Sequence, residues 1–581
     1  MRLWTAVLLA SALAAAAQTP PPDAAPFPFG DVRAGLIGTG YTVLSGTQPV
    51  PFEAQVIGTT DQGAAQPRMI LCKLSGAGLG QSGVLAAMSG SPVYTEGRLL
   101  GAVAYTWSFS KESLCGVTPA EDLLAIRAQR REEQQASGAP PFALSRFWSS
   151  SAAVSLPAEA EGNIPASEAD TMEKRLAAQG FAWSGPGNRG AAVPAPPEPP
   201  TVVPGPGGMI GVQLVTGDVQ FTAFGTVTWV KGKEFLAFGH PFLGLGSTDL
   251  PVVTARVAGI VASLAQGFKL SQAGSPIGTV TQDRATGVYG LFGKEADLLP
   301  VNLRLEENEG AGRPFKFALA RQRQLTPFLL TGAITTLFSR QVDQSASKTI
   351  TFKGLTLTPA GHPPVVLQDQ SFSGLTALPS AADYLASTVA LLSDNPYEKV
   401  RLDHIQTTLS WRPGTGSSTL ESAWLDRRIV RQGEPLRLTV RLRPYQGEAV
   451  TRSMEIPTSD LPPGPVTLWV GNALNVYQKA ASSMDQPQTG EGILHFLASI
   501  PSDRNLEIAA ATATAGVTFG NRHAAPPPPS VGAILSTRPA SSSADASTSR
   551  LVWTRSLEGT GLVEGLLELT FSVKEPGDEA P

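Results

Sequence analysis

The stretch Gly83–Ala104, GVLAAMSGSPVYTEGRLLGAVA, leaves its backbone few options. Ala87-Met88-Ser89-Gly90-Ser91-Pro92 consists of small residues and turn formers and reads as a tight loop. Val93-Tyr94 starts a strand, Thr95-Glu96-Gly97 turns the chain, and Arg98 to Tyr105 makes a second strand. Small residues around Ser89 let the backbone fold sharply beneath it. The hydroxyl is then exposed, and the N–H groups of Ala87 to Ser89 can converge on one point, as an oxyanion hole requires. The same residues also suit a Gly/Ser/Pro hairpin loop with no chemistry, so the rest of the chain must separate the two readings.

A chain of 581 residues exceeds a single core, and about two to four domains are expected. With 59 Gly and 49 Pro and only 16% charged residues, short strands and turns are favoured over helices. A formal net charge of −4 offers no footprint for nucleic acid. Residues 1–17, MRLWTAVLLASALAAAA, combine a basic Arg2, a short apolar run and Ala-x-Ala sites. They read as a secretory signal peptide, so the expectation is an exported protein, periplasmic or secreted, with no membrane span after cleavage. Export permits a disulfide, and the two cysteines, Cys72 and Cys115, flank the Ser89 loop. They could pair or remain as two buried thiols.

Residues 18–30 form a Pro-rich lead-in. From 31 to 135, short apolar runs separated by Gly-rich turns suggest a small antiparallel barrel or sandwich. It closes with a helix from Pro119 to about Gln134, with Thr118 as its cap and Glu121 completing a capping box. Residues 136–208 read as a connector with one short helix, Ser167 to Gln179. The region 209–415 is strand-like, interrupted by one helix from Ala381 to Ser393 capped by Ser380. An accessory β-sandwich is expected over 416–522, a disordered linker over 523–549 and a strand pair over 550–581.

A serine hydroxyl needs a base beside it, and histidine is the usual one near neutral pH. There are five: His240, His362, His404, His495 and His523. His240 alone ends a hairpin strand, in the corner Gly239-His240-Pro241-Phe242. A hydrogen-bonded turn residue would look the same. No His/Cys cluster has zinc spacing, and neither a GxxxxGK phosphate loop nor an Asp-rich calcium loop is present. No metal or cofactor is expected.

AAMSGSPVYTEGRLLGAVAY followed by GVTPAEDLL resembles the SpoIVB-type serine peptidases, whose nucleophile loop reads GMSGSP. EFLAFGHPF is similar to the Ala-x-Gly-His corner that carries that family's base, and FKLSQAGSPIGTVTQDRATGVYG extends the likeness weakly. About a third of the chain is covered. The resemblance implies Ser89 as nucleophile, His240 as general base and the N–H groups of Ala87 and Ser89 as oxyanion hole. Three features depart from the pattern. The serine segment precedes the histidine segment, Ala87 stands where the family has Gly, and Leu74-Ser75 stands where it has an acid. Asp283, 43 residues after His240, is then the candidate orienting acid, with Asp249 a weaker one; Asp283-Arg284 also fits a purely structural turn.

The expected fold is mostly β: a permuted two-lobed barrel of trypsin-like character with a C-terminal β-sandwich and few short helices. The expected activity is acyl-enzyme hydrolysis of peptide bonds in exported or envelope proteins. The alternatives are a binding or scaffold protein on the same barrel without a working triad, and a periplasmic β-sandwich module for carbohydrate or envelope assembly.

Overall fold

The computed structural model describes residues 20–61, 68–129, 202–480, 487–519 and 544–575, the short strands 156–158, 161–162 and 181–183, and Arg522–Ala524, apart from breaks of one to three residues. The expected signal peptide, the connector helix Ser167 to Gln179 and most of the 523–549 linker lie outside the described residues.

Six strands close the first barrel: β1 (Ile37–Val43), β2 (Pro49–Thr60), β3 (Met69–Ser75), β4 (Pro92–Thr95), β5 (Arg98–Thr106) and β6 (Leu114–Pro119), in the order β1-β2-β3-β6-β5-β4. The side-chain period of two drives it. Phe52, Ala54 and Val56 of β2 and Ile70, Cys72 and Leu74 of β3 point inward while their neighbours face out. With Leu79, Met88, Val93, Leu100 and Val117 they fill the interior.

A helix, α1 (Ala120–Gln129), follows directly. It starts one residue later than expected, because β6 runs through Pro119 and Thr118 does not cap it. The Thr118 hydroxyl instead donates to the Gly239 carbonyl at 2.6 Å. Ala120, Leu123 and Ile126 of α1 pack with Leu99, Leu236 and Tyr289.

A second ring of six strands comprises β7 (Met209–Gly217), β8 (Phe221–Lys231), β9 (Glu234–Ala237), β10 (Gly246–Val261), β11 (Phe268–Arg284) and β12 (Gly287–Phe292). They pair in the order β7-β10-β11-β12-β9-β8, and β8 pairs again with β7, so no edge is left between them. The serine loop belongs to the first ring and the histidine corner to the second. Apart from residues 215–217 at the end of β7, both rings lie in one compact unit, which ends at Asp297.

The other compact unit contains residues 298–581, so the stretch 298–415 packs with the C-terminal part of the chain. Here the strand-like reading fails in places. Leu325–Ser339, LTPFLLTGAITTLFS, is a buried helix, α2; a run apolar on every side has no period to distinguish helix from strand. The helix expected from Ala381 begins at Ala377, and the Ser380 N–H donates within its first turn. Two more helices, Ala473–Ala480 and Gly490–Ser499, break the accessory region, and His495 lies in the latter. Around them two sheets, of four and five strands, face each other across Leu436, Leu438, Val440, Leu468, Ile508 and Phe571, which makes the sandwich. The last two long strands, Arg550–Leu557 and Leu566–Lys574, sit in the five-stranded sheet but do not pair with each other. Among the described residues no helix is long and apolar enough to cross a membrane.

Cys72 and Cys115 are directly opposite in the β3–β6 register, both buried and both free thiols. Burial pushes the Cys72 thiol up to about 12 and Cys115 well above its ordinary value. Thiolates are the reactive species, so neither thiol should react with a disulfide reagent in the native protein, and both should react on denaturation. Rapid native labelling measured by absorbance would contradict this arrangement.

Candidate active site

The loop between β3 and β4 enters on a short helical turn, Leu79–Ser82, and then runs beneath Ser89. Ala87 adopts φ +66° and Gly90 φ +91°. The Met88 side chain is buried and anchors the loop in the first core. The Gly90 N–H donates to Val103 O at 2.7 Å and the Ser91 N–H to Met88 O at 2.8 Å.

The loop's carbonyls are held from the second ring. The Ala87 oxygen accepts from Thr226 Oγ1 at 3.0 Å and from Lys269 Nζ at 3.1 Å. Ser89 O accepts from the Thr226 N–H at 2.8 Å, and Gly90 O from Thr228 Oγ1 at 2.7 Å. Among the described residues the N–H groups of Ala87 and Ser89 have no hydrogen-bond partner, nor has the half-buried Ser89 hydroxyl. A donor pair beside an unengaged alcohol can hold an oxyanion formed at that alcohol.

His240 is placed by an abrupt corner. Phe238 and Gly239 both take φ +71°, which turns the chain out of β9. Gly90 admits no side chain here, since a Cβ would run into the Thr226 carbonyl and the Phe238 N–H. The serine loop and the histidine corner are therefore in backbone contact. The His240 ring lies between Phe238 and Tyr105, with centroids at 6.2 and 6.5 Å. Its Nδ1 is 2.8 Å from Pro241 O. A carbonyl can only accept, so this bond places the proton on Nδ1 and leaves Nε2 with a lone pair. Burial lowers the His240 pKa from its ordinary 6.5, and the Pro241 bond only partly offsets that. No hydrogen bond joins His240 to Ser89 Oγ among the described residues.

Asp283 does not reach His240. It is buried on β11, and its carboxylate accepts the N–H groups of Phe242 at 2.8 Å, Leu243 at 2.7 Å and Leu245 at 3.1 Å. Burial raises its pKa although these bonds oppose the rise. The carboxylate shapes the loop that follows the histidine, and the group touching the imidazole is the Pro241 carbonyl. Asp249 is also remote in function: it pairs with Lys294 and accepts the Asp297 N–H at 2.7 Å. Among the described residues no group of three or more His, Cys, Asp or Glu could hold a metal ion.

One residue escaped the sequence reading. Lys269, at the start of β11, is completely buried, and its Nζ lies 2.7 Å from Thr42 Oγ1, besides its bond to Ala87 O. Burial lowers its pKa to about 7. A single lysine in FKLSQAG carries no local signal, because its surroundings come from residues about 180 and 230 positions earlier.

Asp283→Ala would orphan three loop N–H groups, each costing about 1–3 kcal/mol when buried without an acceptor. Urea unfolding should show a loss of roughly 3 kcal/mol or more, with Asp283→Asn losing less. Compared with protein-family models, curated proteins and solved structures, the chain matches none of them.

Proposed function

We propose that the protein is an exported serine endopeptidase that cleaves exported or envelope proteins through an acyl-enzyme. The observation that carries this reading is that the N–H groups of Ala87 and Ser89 and the Ser89 hydroxyl have no hydrogen-bond partner among the described residues, with the histidine corner packed against the same loop. Ser89 Oγ attacks the scissile carbonyl while His240 Nε2 accepts its proton. The two amides bind the oxygen as it becomes negative. His240 then returns the proton to the departing amine, and water hydrolyses the ester by the same route. The Pro241 carbonyl takes the orienting role that a carboxylate has elsewhere, fixing the tautomer through Nδ1. The missing Ser89–His240 hydrogen bond fits a resting site, since such bonds often tighten only around substrate.

The same missing bond favours a second reading, a scaffold or binding protein that keeps the barrels without the chemistry. Treatment with a fluorophosphonate probe separates the two. Under the peptidase reading the parent labels at Ser89, Ser89→Ala does not, and His240→Ala labels about 10²–10⁴-fold more slowly. A folded parent that never labels supports the scaffold instead. The base works only when neutral, and burial lowers its pKa, so the labelling rate should hold as pH falls through 6.5 and decline only below it. A midpoint above 6.5 would exclude His240 in its present setting as that base.

A further inference from the structure

Lys269 belongs to neither the nucleophile nor the base, yet the chain buries an amine entirely to put it beneath the serine loop. Its Nζ faces three groups: Thr42 Oγ1 from β1 at 2.7 Å, the Ala87 carbonyl at 3.1 Å and Met209 Sδ from β7 at 3.7 Å. All three can accept, which suits the three donors of an ammonium. None titrates near neutral pH, and among the described residues no carboxylate pairs with Lys269. Ala87 and Met209 are part of an apolar cluster with Val43, Phe224, Ala255 and Val257. A buried, uncompensated amine is expensive. An apolar side chain would suit that cluster better, and the hydrogen-bond partners would not be orphaned by one. Thr42 Oγ1 also accepts from Ser91 Oγ at 3.0 Å, and Ala87 O accepts from Thr226 Oγ1 at 3.0 Å. Stability alone therefore does not account for the lysine.

The geometry accounts for it differently. Ala86 N–H donates to Gly267 O at 2.7 Å, and Ala87 O accepts from Lys269, two residues further along the same segment. The Ala86–Ala87 peptide, which carries the Ala87 N–H, sits between these two fixed points. Ala87 at φ +66° is a left-handed residue with a side chain, a conformation that persists only where its surroundings enforce it. Resting on the peptidase reading above, we propose that Lys269 is a positioning residue: its Nζ clamps the Ala87 carbonyl so that the Ala87 N–H stays aimed at the oxyanion site. The clamp survives loss of the ammonium proton. Burial brings the Lys269 pKa to about 7, and the neutral amine keeps two N–H donors while the Thr42 hydroxyl can turn to donate to its lone pair.

The test is Lys269→Met, read by fluorophosphonate inactivation over a range of probe concentrations. Losing one oxyanion donor should lower the maximal inactivation rate by about 10²–10³-fold, with half-saturation within about twofold of the parent. The melting temperature should stay level or rise, which a merely structural role would not allow. A parental maximal rate overturns the proposal, as does a rate that falls only in step with melting temperature. Should Lys269→Met fail to fold, Lys269→Leu, which also removes the donor to the Ala87 carbonyl, is read in its place; slower inactivation at retained melting temperature supports the clamp, and a parental rate overturns it. If the parent never labels, the peptidase reading fails by itself, and deuterium uptake decides on the clamp. Faster exchange over residues 84–91 in Lys269→Met supports it, and unchanged exchange overturns it.

Discussion

Everything near Ser89 depends on carbonyls of one ring being held by donors of the other. Thr226 contributes twice, through its N–H to Ser89 O and its hydroxyl to Ala87 O, and Thr228 secures Gly90 O. With the carbonyls engaged from below, the amides of Ala87 and Ser89 have no bond to satisfy within the loop. Gly90 is the point of closest approach, and the missing Cβ lets the two backbones meet there. In return the first ring holds the histidine corner, through Thr118 Oγ1 to Gly239 O. Each ring thus fixes the other's short, strained segment.

Two of the strained residues come together at this meeting point. Ala87 and Phe238 take positive φ with side chains present, and such residues cost on the order of 1–3 kcal/mol each. Lys269 and Asp283 add buried groups whose pKa values move toward their neutral forms. The C-terminal region has buried carboxylates of its own, Asp503 and Glu507, whose pKa values burial also raises, and a positive φ at Gln446, beside a sandwich core that is aliphatic with Trp553 and Phe571. Around Ser89 these features coincide with the loop and corner on which the proposed peptidase reading rests.

How much of this could be read beforehand depended on how local the cause was. The tight turn at Ser89, the hairpin leading to His240 and the alternating strands of the first barrel are written in neighbouring residues, and they lie where their turn chemistry and periodicity put them. Thr118 was misread because two uses of a threonine hydroxyl, capping a helix and bonding a distant carbonyl, look alike in sequence; the Gly239 carbonyl won. Asp283 was read through its spacing from His240, but its position opposite Gly246 in the β10–β11 register aims it at loop amides. Lys269 and α2 were invisible for the same reason. A buried amine and an all-round apolar helix are defined by what surrounds them, and that is assembled from remote parts of the chain.

The Pro241 carbonyl against His240 has an electrical implication. A carboxylate there would give a charged imidazole a counter-ion; a peptide oxygen gives it only a dipole. Cationic imidazole in this corner would therefore be short-lived and high in energy, favouring a site that stays uncharged between encounters. Because the orienting atom belongs to the main chain, no side-chain replacement at position 241 deletes it, and only a change in the path of the turn could remove it.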